Sequence, residues 1–304
     1  MRIGVLGATA AGVVMLAWPA FGISQNDHDD CNGRENDRII TGCTHIVEDG
    51  AESPEDRIAA LGNRAKAWHR KGNDDRAIED YSEAIRIDPK NIVPYNARGV
   101  LWRNKGQLDR AIADFSEAIR LSPDMPPLYD NRGDANLAFS RYSAAAADYN
   151  TLIHLNPKYR PAYGKRGVVN FIQGNFKPAV SDFLMANDPP GGWNSLMLFV
   201  TRAHLGEDGK EELLRNMARL ETKRWPYPVL DFYVGRRSRD ELMSAAEAAR
   251  PFGPCEARFF LGEWQLMHGM KAEAESLFRS AADTCPKHTY AYHTATAELA
   301  LLKP

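Results

Sequence analysis

The chain has 304 residues, of which 44% are hydrophobic and 26% charged, so it is long enough for one extended repeat domain or two compact domains. Its formal net charge of −2 offers no general attraction to nucleic acid, and we expect no nucleic-acid partner. Beyond the N-terminus no apolar run approaches the roughly 18 residues of a membrane-spanning helix, which argues against an internal transmembrane segment.

Residues 1–22 have the pattern of a signal peptide. Arg2 supplies a positive charge, the segment from Ile3 to Ala17 is apolar, and Ala20 and Gly22 are the small residues that a signal peptidase recognises. Cleavage after Gly22 would leave a soluble periplasmic or secreted protein with no transmembrane span. The alternative is an uncleaved anchor, which the short apolar segment and Pro19 disfavour.

Residues 23–57 are predicted to form an N-terminal cap around one helix, from Glu35 to Val47. In an oxidising compartment Cys31 and Cys43 are expected to form a disulfide that folds the preceding loop onto this helix. A zinc site is the alternative for the four cysteines of the chain, but the close C-x2-C spacing typical of such sites is absent. Polar residues precede Cys31, so it is not a lipid-attachment cysteine.

Residues 58–193 contain four copies of a 34-residue repeat. Pro89, Pro123 and Pro157 are 34 residues apart and end the second helix of the first three copies. Small residues at positions eight and twenty would let two antiparallel helices approach closely, and position twenty-four is aromatic. This pattern resembles the tetratricopeptide repeat (TPR) family, which implies an all-α, right-handed superhelix of helical hairpins, an α-solenoid.

The remaining elements follow in order along the chain. Residues 194–254 are predicted to form degenerate helical hairpins, residues 255–288 a further TPR repeat, and residues 289–304 a capping helix. Cys255 and Cys285 would lie at the open end of that last hairpin and are expected to form a second disulfide, worth roughly 3–4 kcal/mol in the chain-entropy model.

An arginine recurs at position seven and an aspartate at position twenty-three of all four repeats. The simplest interpretation is a structural ion pair between the two helices of each hairpin, and the alternative is a row of arginines offered to a ligand. The expected pairs are Arg64 with Asp80, Arg98 with Asp114, Arg132 with Asp148 and Arg166 with Asp182.

In TPR proteins the inner face of each first helix lines a groove that binds peptides. The resemblance places nine side chains of this chain there: Asn63, Lys66, His69, Asn96, Arg103, Asn131, Asp134, Lys165 and Phe171. The asparagines suit an extended peptide, because an amide can donate to and accept from a backbone. A polar groove wall without a ligand is the alternative. Pro127 and Asn131 stand where a two-carboxylate clamp needs basic residues, so binding to chaperone tails of that class is not expected.

No catalytic motif is present, and we predict neither enzymatic activity nor a cofactor. His288 and His293 are five residues apart, which is a poor spacing for two ligands on one helix, and no metal site is expected.

Three segments near the C-terminus, Leu230 to Gly235, Phe259 to Glu263 and Ala297 to Leu299, resemble exported TPR lipoproteins of the NlpI type. This resemblance implies a periplasmic, dimeric scaffold that presents cell-wall hydrolases to a protease, although this chain lacks the lipid-attachment motif. The function predicted is therefore a non-enzymatic scaffold or adaptor that binds peptides or proteins in the cell envelope, with a homodimer as a further expectation. A cell-wall glycan-binding module and a hydrolase with a hidden site are the alternatives.

Overall fold

The computed structural model describes residues 24–49, 51–186, 192–221 and 223–303, and the predicted signal peptide lies outside them. Every regular element in these residues is an α-helix, so the expected all-α class is confirmed. None of the helices described is both long and apolar enough to cross a membrane. The residues divide into two compact units, an N-terminal unit that ends at Asp88 and a C-terminal unit that begins at Pro89.

The N-terminal unit contains four helices: α1 (Gln25–Cys31), α2 (Asn36–Glu48), α3 (Pro54–Arg70) and α4 (Asp74–Ile87). Helix α1 replaces the loop that the sequence predicts, and its start is fixed by a capping box between Ser24 and Asp27. Cys31 and Cys43 are disulfide-bonded, with 4.6 Å between their Cα atoms, and join the end of α1 to α2. Helices α3 and α4 form the first repeat hairpin.

The C-terminal unit contains the other thirteen helices of the described residues. Their bounds are α5 (Ile92–Asn104), α6 (Leu108–Leu121), α7 (Pro126–Ala138), α8 (Tyr142–Leu155), α9 (Arg160–Ile172), α10 (Phe176–Ala186), α11 (Gly192–His204), α12 (Lys210–Ala218), α13 (Tyr227–Tyr233), α14 (Arg239–Ala248), α15 (Gly253–Met267), α16 (Lys271–Thr284) and α17 (Tyr290–Leu301). The pairs α5–α6, α7–α8 and α9–α10 are the second, third and fourth repeats. Cys255 and Cys285 are disulfide-bonded across α15 and the end of α16.

In four of the five hairpins, the second, third, fourth and C-terminal repeats, the helices approach closely because position eight is glycine and carries no side chain. A Cβ atom placed on Gly133 would lie 2.6 Å from the ring of Tyr149, closer than carbon atoms can pack. Equivalent glycines in the second, fourth and C-terminal repeats would meet the aromatic ring at position twenty-four in the same way: Gly99 with Phe115, Gly167 with Phe183 and Gly262 with Phe278. Small and aromatic residues are therefore matched across each hairpin.

The turn between the two helices of a repeat needs one residue with positive φ. Gly72, Gly106 and Gly174 take this conformation, with φ of 77°, 72° and 72°. In the third repeat Ser140 stands at the same position, with φ of 60°. The third repeat therefore holds a side chain in a backbone conformation that costs energy for any residue other than glycine.

The last helix, α17, does more than follow the final hairpin. It packs against α15 and α16, and it also contacts α9 in the fourth repeat. The hydroxyl of Tyr142, in the third repeat, lies 3.1 Å from Nδ1 of His293 in α17. Helix α17 therefore brings the C-terminus of the chain back to the third and fourth repeats.

Candidate protein-binding groove

The four predicted arginine–aspartate pairs lie within their hairpins, at distances far inside the roughly 6 Å reach of an ion pair. Each arginine donates from Nε and Nη2 to both carboxylate oxygens of its aspartate, and all four aspartates are buried. The shortest contacts are Arg64–Asp80 at 2.7 Å, Arg98–Asp114 at 2.8 Å, Arg132–Asp148 at 2.6 Å and Arg166–Asp182 at 2.6 Å. These arginines are therefore engaged by their own hairpins rather than presented to a ligand.

The pairs also reach beyond their own two partners. Arg132 donates from Nη1 to the hydroxyl of Ser116 at 3.1 Å, and Ser116 belongs to the preceding repeat. The amide of Asn136 donates to the Asp148 carboxylate at 2.9 Å. One ion pair therefore ties together both helices of its repeat and the second helix of the repeat before it.

A groove lies at the ends of α5 and α7, beside the turns of the second and third repeats in the C-terminal unit. It encloses about 920 Å³. One wall is formed by the C-terminal ends of α5 and α7 and by the turn after α7. The other wall is formed by the segment that leads into α17 and by the start of that helix. The residues that line it include Arg103, Asp134, Phe139, Lys287, His288 and Tyr292.

Beside this groove a lysine is held between two carboxylates. The ammonium nitrogen of Lys165 is 2.6 Å from an Asp130 oxygen and 2.9 Å from an Asp134 oxygen. Tyr149 donates its hydroxyl to Asp134 at 2.9 Å. Burial alone would lower the pKa of Lys165, but the Asp134 and Asp130 charges and the nearby Tyr290 raise it above its usual range. Lys165 is therefore a charged residue beside the groove that already has two partners.

Arg103 lines the groove, and Asn131 lies next to it. The amide of Asn131 donates to Asn96 at 2.9 Å, so two of the predicted asparagines bond to each other. Nη1 of Arg103 is 3.5 Å from an oxygen of Asn131 and 3.5 Å from an oxygen of Asp134. Bonds of this length are weak, so an incoming acceptor can compete for the Arg103 guanidinium.

Family models described as Tetratricopeptide repeat match residues 58–91, 94–125 and 131–191, which include most of the four repeats. The chain is a tetratricopeptide repeat protein. Proteins with this fold generally act as non-catalytic scaffolds for protein interactions, and the TPR architecture expected from the sequence is confirmed. The NlpI resemblance stays a prediction.

Solved TPR structures share the fold of this chain at low sequence identity. A tetratricopeptide repeat protein from Parabacteroides merdae is 20% identical, covers 81% of this chain and 98% of its own, and has a TM-score of 0.53. A double mutant of MamA from strain RS-1 is 17% identical over 53% of this chain and 93% of its own, with a TM-score of 0.51. Residues 41 to the end of MamA from Desulfovibrio magneticus are 16% identical over 54% of this chain and 97% of their own length, with a TM-score of 0.50. Identities this low establish the fold alone.

One residue predicted for the TPR groove does not reach it. Phe171 is fully buried, and its ring packs against those of Phe176 and His204 at centroid distances of 5.5 and 5.3 Å. The prediction was wrong here because α11 packs against α9 and turns this position of the fourth repeat into core.

The three predicted groove residues of the N-terminal unit lie in the first TPR hairpin. Lys66 is exposed, while Asn63 donates its amide to Asn32, at the end of α1, at 3.2 Å. Nδ1 of His69 is 2.6 Å from the Asp74 carboxylate. Helix α1, which the sequence did not predict, therefore engages one of the three.

Residues that the sequence reasoning missed form much of the groove. Phe139, Lys287, His288 and Tyr292 line it, and Tyr290 lines it as well. The last four precede or begin α17, and no repeat periodicity indicates that this segment returns to the third repeat. Phe139 was detectable in principle, because it is a large apolar residue at the end of a first helix.

Proposed function

We propose that this TPR protein is a non-enzymatic scaffold that binds an extended segment of a partner protein in the groove of its C-terminal unit. The observation that carries the proposal is the groove itself. Its volume of about 920 Å³ lies toward the upper end of the roughly 300–1,000 Å³ found for ligand pockets. Its walls combine an exposed aromatic ring with charged and amide groups that can hydrogen-bond to a peptide.

The side chains of the groove indicate the chemistry of the partner segment. Phe139 is 38% exposed and offers apolar contact area that a partner can cover. Arg103 and Lys287 are cationic, whereas the carboxylate of Asp134 is already paired with Lys165. A segment that carries an apolar side chain next to a carboxylate fits these walls best. Lys165 is charged and held by two carboxylates, so its amine is not available as a nucleophile.

The compartment we propose is the bacterial periplasm, after removal of a signal peptide. Two observations support it: the signal-like sequence of residues 1–22, and two cysteine pairs within disulfide distance, a state that persists in oxidising compartments. The NlpI resemblance adds the partner class, envelope hydrolases and proteases, and a homodimer.

Photo-crosslinking in cells tests the proposal. A photo-reactive amino acid is placed at Phe139 in the groove or, as a matched control, at Leu184, which is 44% exposed and does not line the groove. After irradiation, the crosslinked products are purified and identified by mass spectrometry. We expect a protein partner, or a second copy of the chain, from position 139 and a much weaker product from position 184.

Two results would overturn the proposal. Equal crosslinking from both positions would show that the groove is not the binding surface. Recovery of cell-wall fragments without any protein from position 139 would favour the glycan-binding alternative instead.

A further inference from the structure

Three ionisable side chains from three helices converge in the C-terminal unit, and none of them lines the groove. His204 ends α11, Glu263 lies in α15 and Glu298 lies in α17. Nε2 of His204 is 3.1 Å from Oε2 of Glu263 and 3.5 Å from Oε1 of Glu298. Both glutamates are 1% exposed, which makes them two of the most deeply buried charged residues in the part of the chain that the structure describes.

The cluster is short of groups that can pair with its carboxylate oxygens. Both glutamates face one imidazole, which supplies at most one positive charge. Oε1 of Glu263 and Oε1 of Glu298 are buried and have no hydrogen-bond partner among the described residues. Buried carboxylate oxygens without partners are costly, and a bound cation would supply the missing partner.

The two distances from the His204 nitrogen fit a four-coordinate metal ion. Zinc binds imidazole nitrogen and carboxylate oxygen at about 2.0–2.2 Å, so tetrahedral neighbours are about 3.3–3.5 Å apart. The two measured distances from His204, 3.1 and 3.5 Å, bracket this range closely, and all three ligand atoms lie within 4.8 Å of one another. His204 is partly exposed, which gives an ion a path to the cluster.

We propose that His204, Glu263 and Glu298 bind one divalent transition-metal cation, of which Zn²⁺ fits best. The imidazole favours Zn²⁺ over Mg²⁺ and Ca²⁺, which prefer ligand sets made only of oxygen. The ion neutralises both buried carboxylates at once. It also joins α11, α15 and α17, whose ligands are far apart in the sequence, and so fixes the helix that follows the groove wall.

The test uses the full, untagged, oxidised protein. After treatment with a chelator and its removal, Zn²⁺ is titrated by calorimetry, and the bound metal is counted by mass spectrometry. We expect one equivalent of Zn²⁺ per chain and no competition from Mg²⁺. Glu263→Gln and Glu298→Gln should each weaken the affinity by at least about 100-fold, because loss of a mere supporting hydrogen bond to a ligand already costs 10- to 100-fold.

A matched variant separates metal binding from general damage to the core. Glu256 is also a largely buried glutamate of α15, but its Oε2 accepts from the indole of Trp225 at 2.6 Å, away from the cluster. Glu256→Gln should retain the full Zn²⁺ affinity. Far-UV circular dichroism checks that every variant is folded.

A local readout adds a second arm. Zn²⁺ should slow hydrogen exchange of the α17 amides in the wild type, and it should not change the exchange rate of these amides in Glu263→Gln. Wild-type protein that binds less than about 0.2 equivalents of Zn²⁺, or binding that survives in the Glu263→Gln/Glu298→Gln double variant, would overturn the proposal.

Discussion

Replacing Asp148 by asparagine removes the negative charge of the Arg132 ion pair while keeping the shape of the side chain. The Asp148 carboxylate accepts from Nε and Nη2 of Arg132 and from the amide of Asn136, and the residue is only 3% exposed. Breaking a buried pair in this way costs about 3–5 kcal/mol, because the remaining charge is left without a partner. The Arg132 side chain is 24% exposed and can regain some water, so we expect about 2–3 kcal/mol.

The matched control is an ion pair on the surface of the same unit. Arg141 and Asp109 are 2.9 Å apart, with side chains 46% and 70% exposed. Asp109→Asn should therefore change the stability by less than about 1 kcal/mol. Native-state hydrogen exchange of the α7 and α8 amides measures both effects locally, which avoids assuming two-state unfolding of a repeat protein. If Asp148→Asn costs no more than Asp109→Asn, the structural interpretation of the recurring pairs is wrong.

Three further predictions concern single positions. Gly133→Ala should destabilise the third hairpin by about 1–3 kcal/mol because the new Cβ meets the ring of Tyr149, whereas Gly62→Ala, with nothing within 4 Å, should stabilise its helix by about 0.5–1 kcal/mol. Ser140→Gly should stabilise the protein by up to about 1 kcal/mol, because glycine adopts the positive φ at this turn without strain. Burial lowers the pKa of His293 from 6.5 to about 4, so the unfolded chain binds a proton that the native one does not, and stability should fall as pH drops from about 6.5 to 4. Between pH 7 and 5 this loss is about 2 kcal/mol.

Each of these has a simple check by urea unfolding. The explanation for the glycines is wrong if Gly133→Ala and Gly62→Ala change the free energy of unfolding in the same direction. A lower urea midpoint for Ser140→Gly would contradict the strain assigned to the turn. Other groups also titrate between pH 7 and pH 5. The test for His293 therefore compares the change in the free energy of unfolding between these two pH values in the wild type with the same change in His293→Gln. An equal difference in both proteins would contradict the shifted pKa.

The repeat architecture could be predicted because it depends on contacts that are close in sequence. The pairing of Gly133 with Tyr149 and the approach of Arg132 to Asp148 both arise within one hairpin of 34 residues. The 34-residue period repeats those local contacts, so sequence spacing alone indicates which residues face each other.

The groove and the metal cluster depend on contacts between distant segments, and the periodicity carries no information about those. Phe171 has a groove position in the repeat, yet α11 covers it. His204, Glu263 and Glu298 come from three helices, and two of those helices lie outside the repeat period. Helix α17 was predicted as a cap, but nothing in its sequence indicates that it also reaches the third and fourth repeats.

The most direct test of the scaffold proposal is the affinity of the captured partner for two charged variants. Phe139→Asp places a charge in the groove, and Leu184→Asp places the same charge at a similarly exposed site that does not line it. Calorimetry with the purified partner should show at least about tenfold weaker binding for Phe139→Asp, which is about 1.4 kcal/mol, and wild-type affinity for Leu184→Asp. Wild-type affinity for Phe139→Asp, or an equal loss in both variants, would contradict binding through this groove.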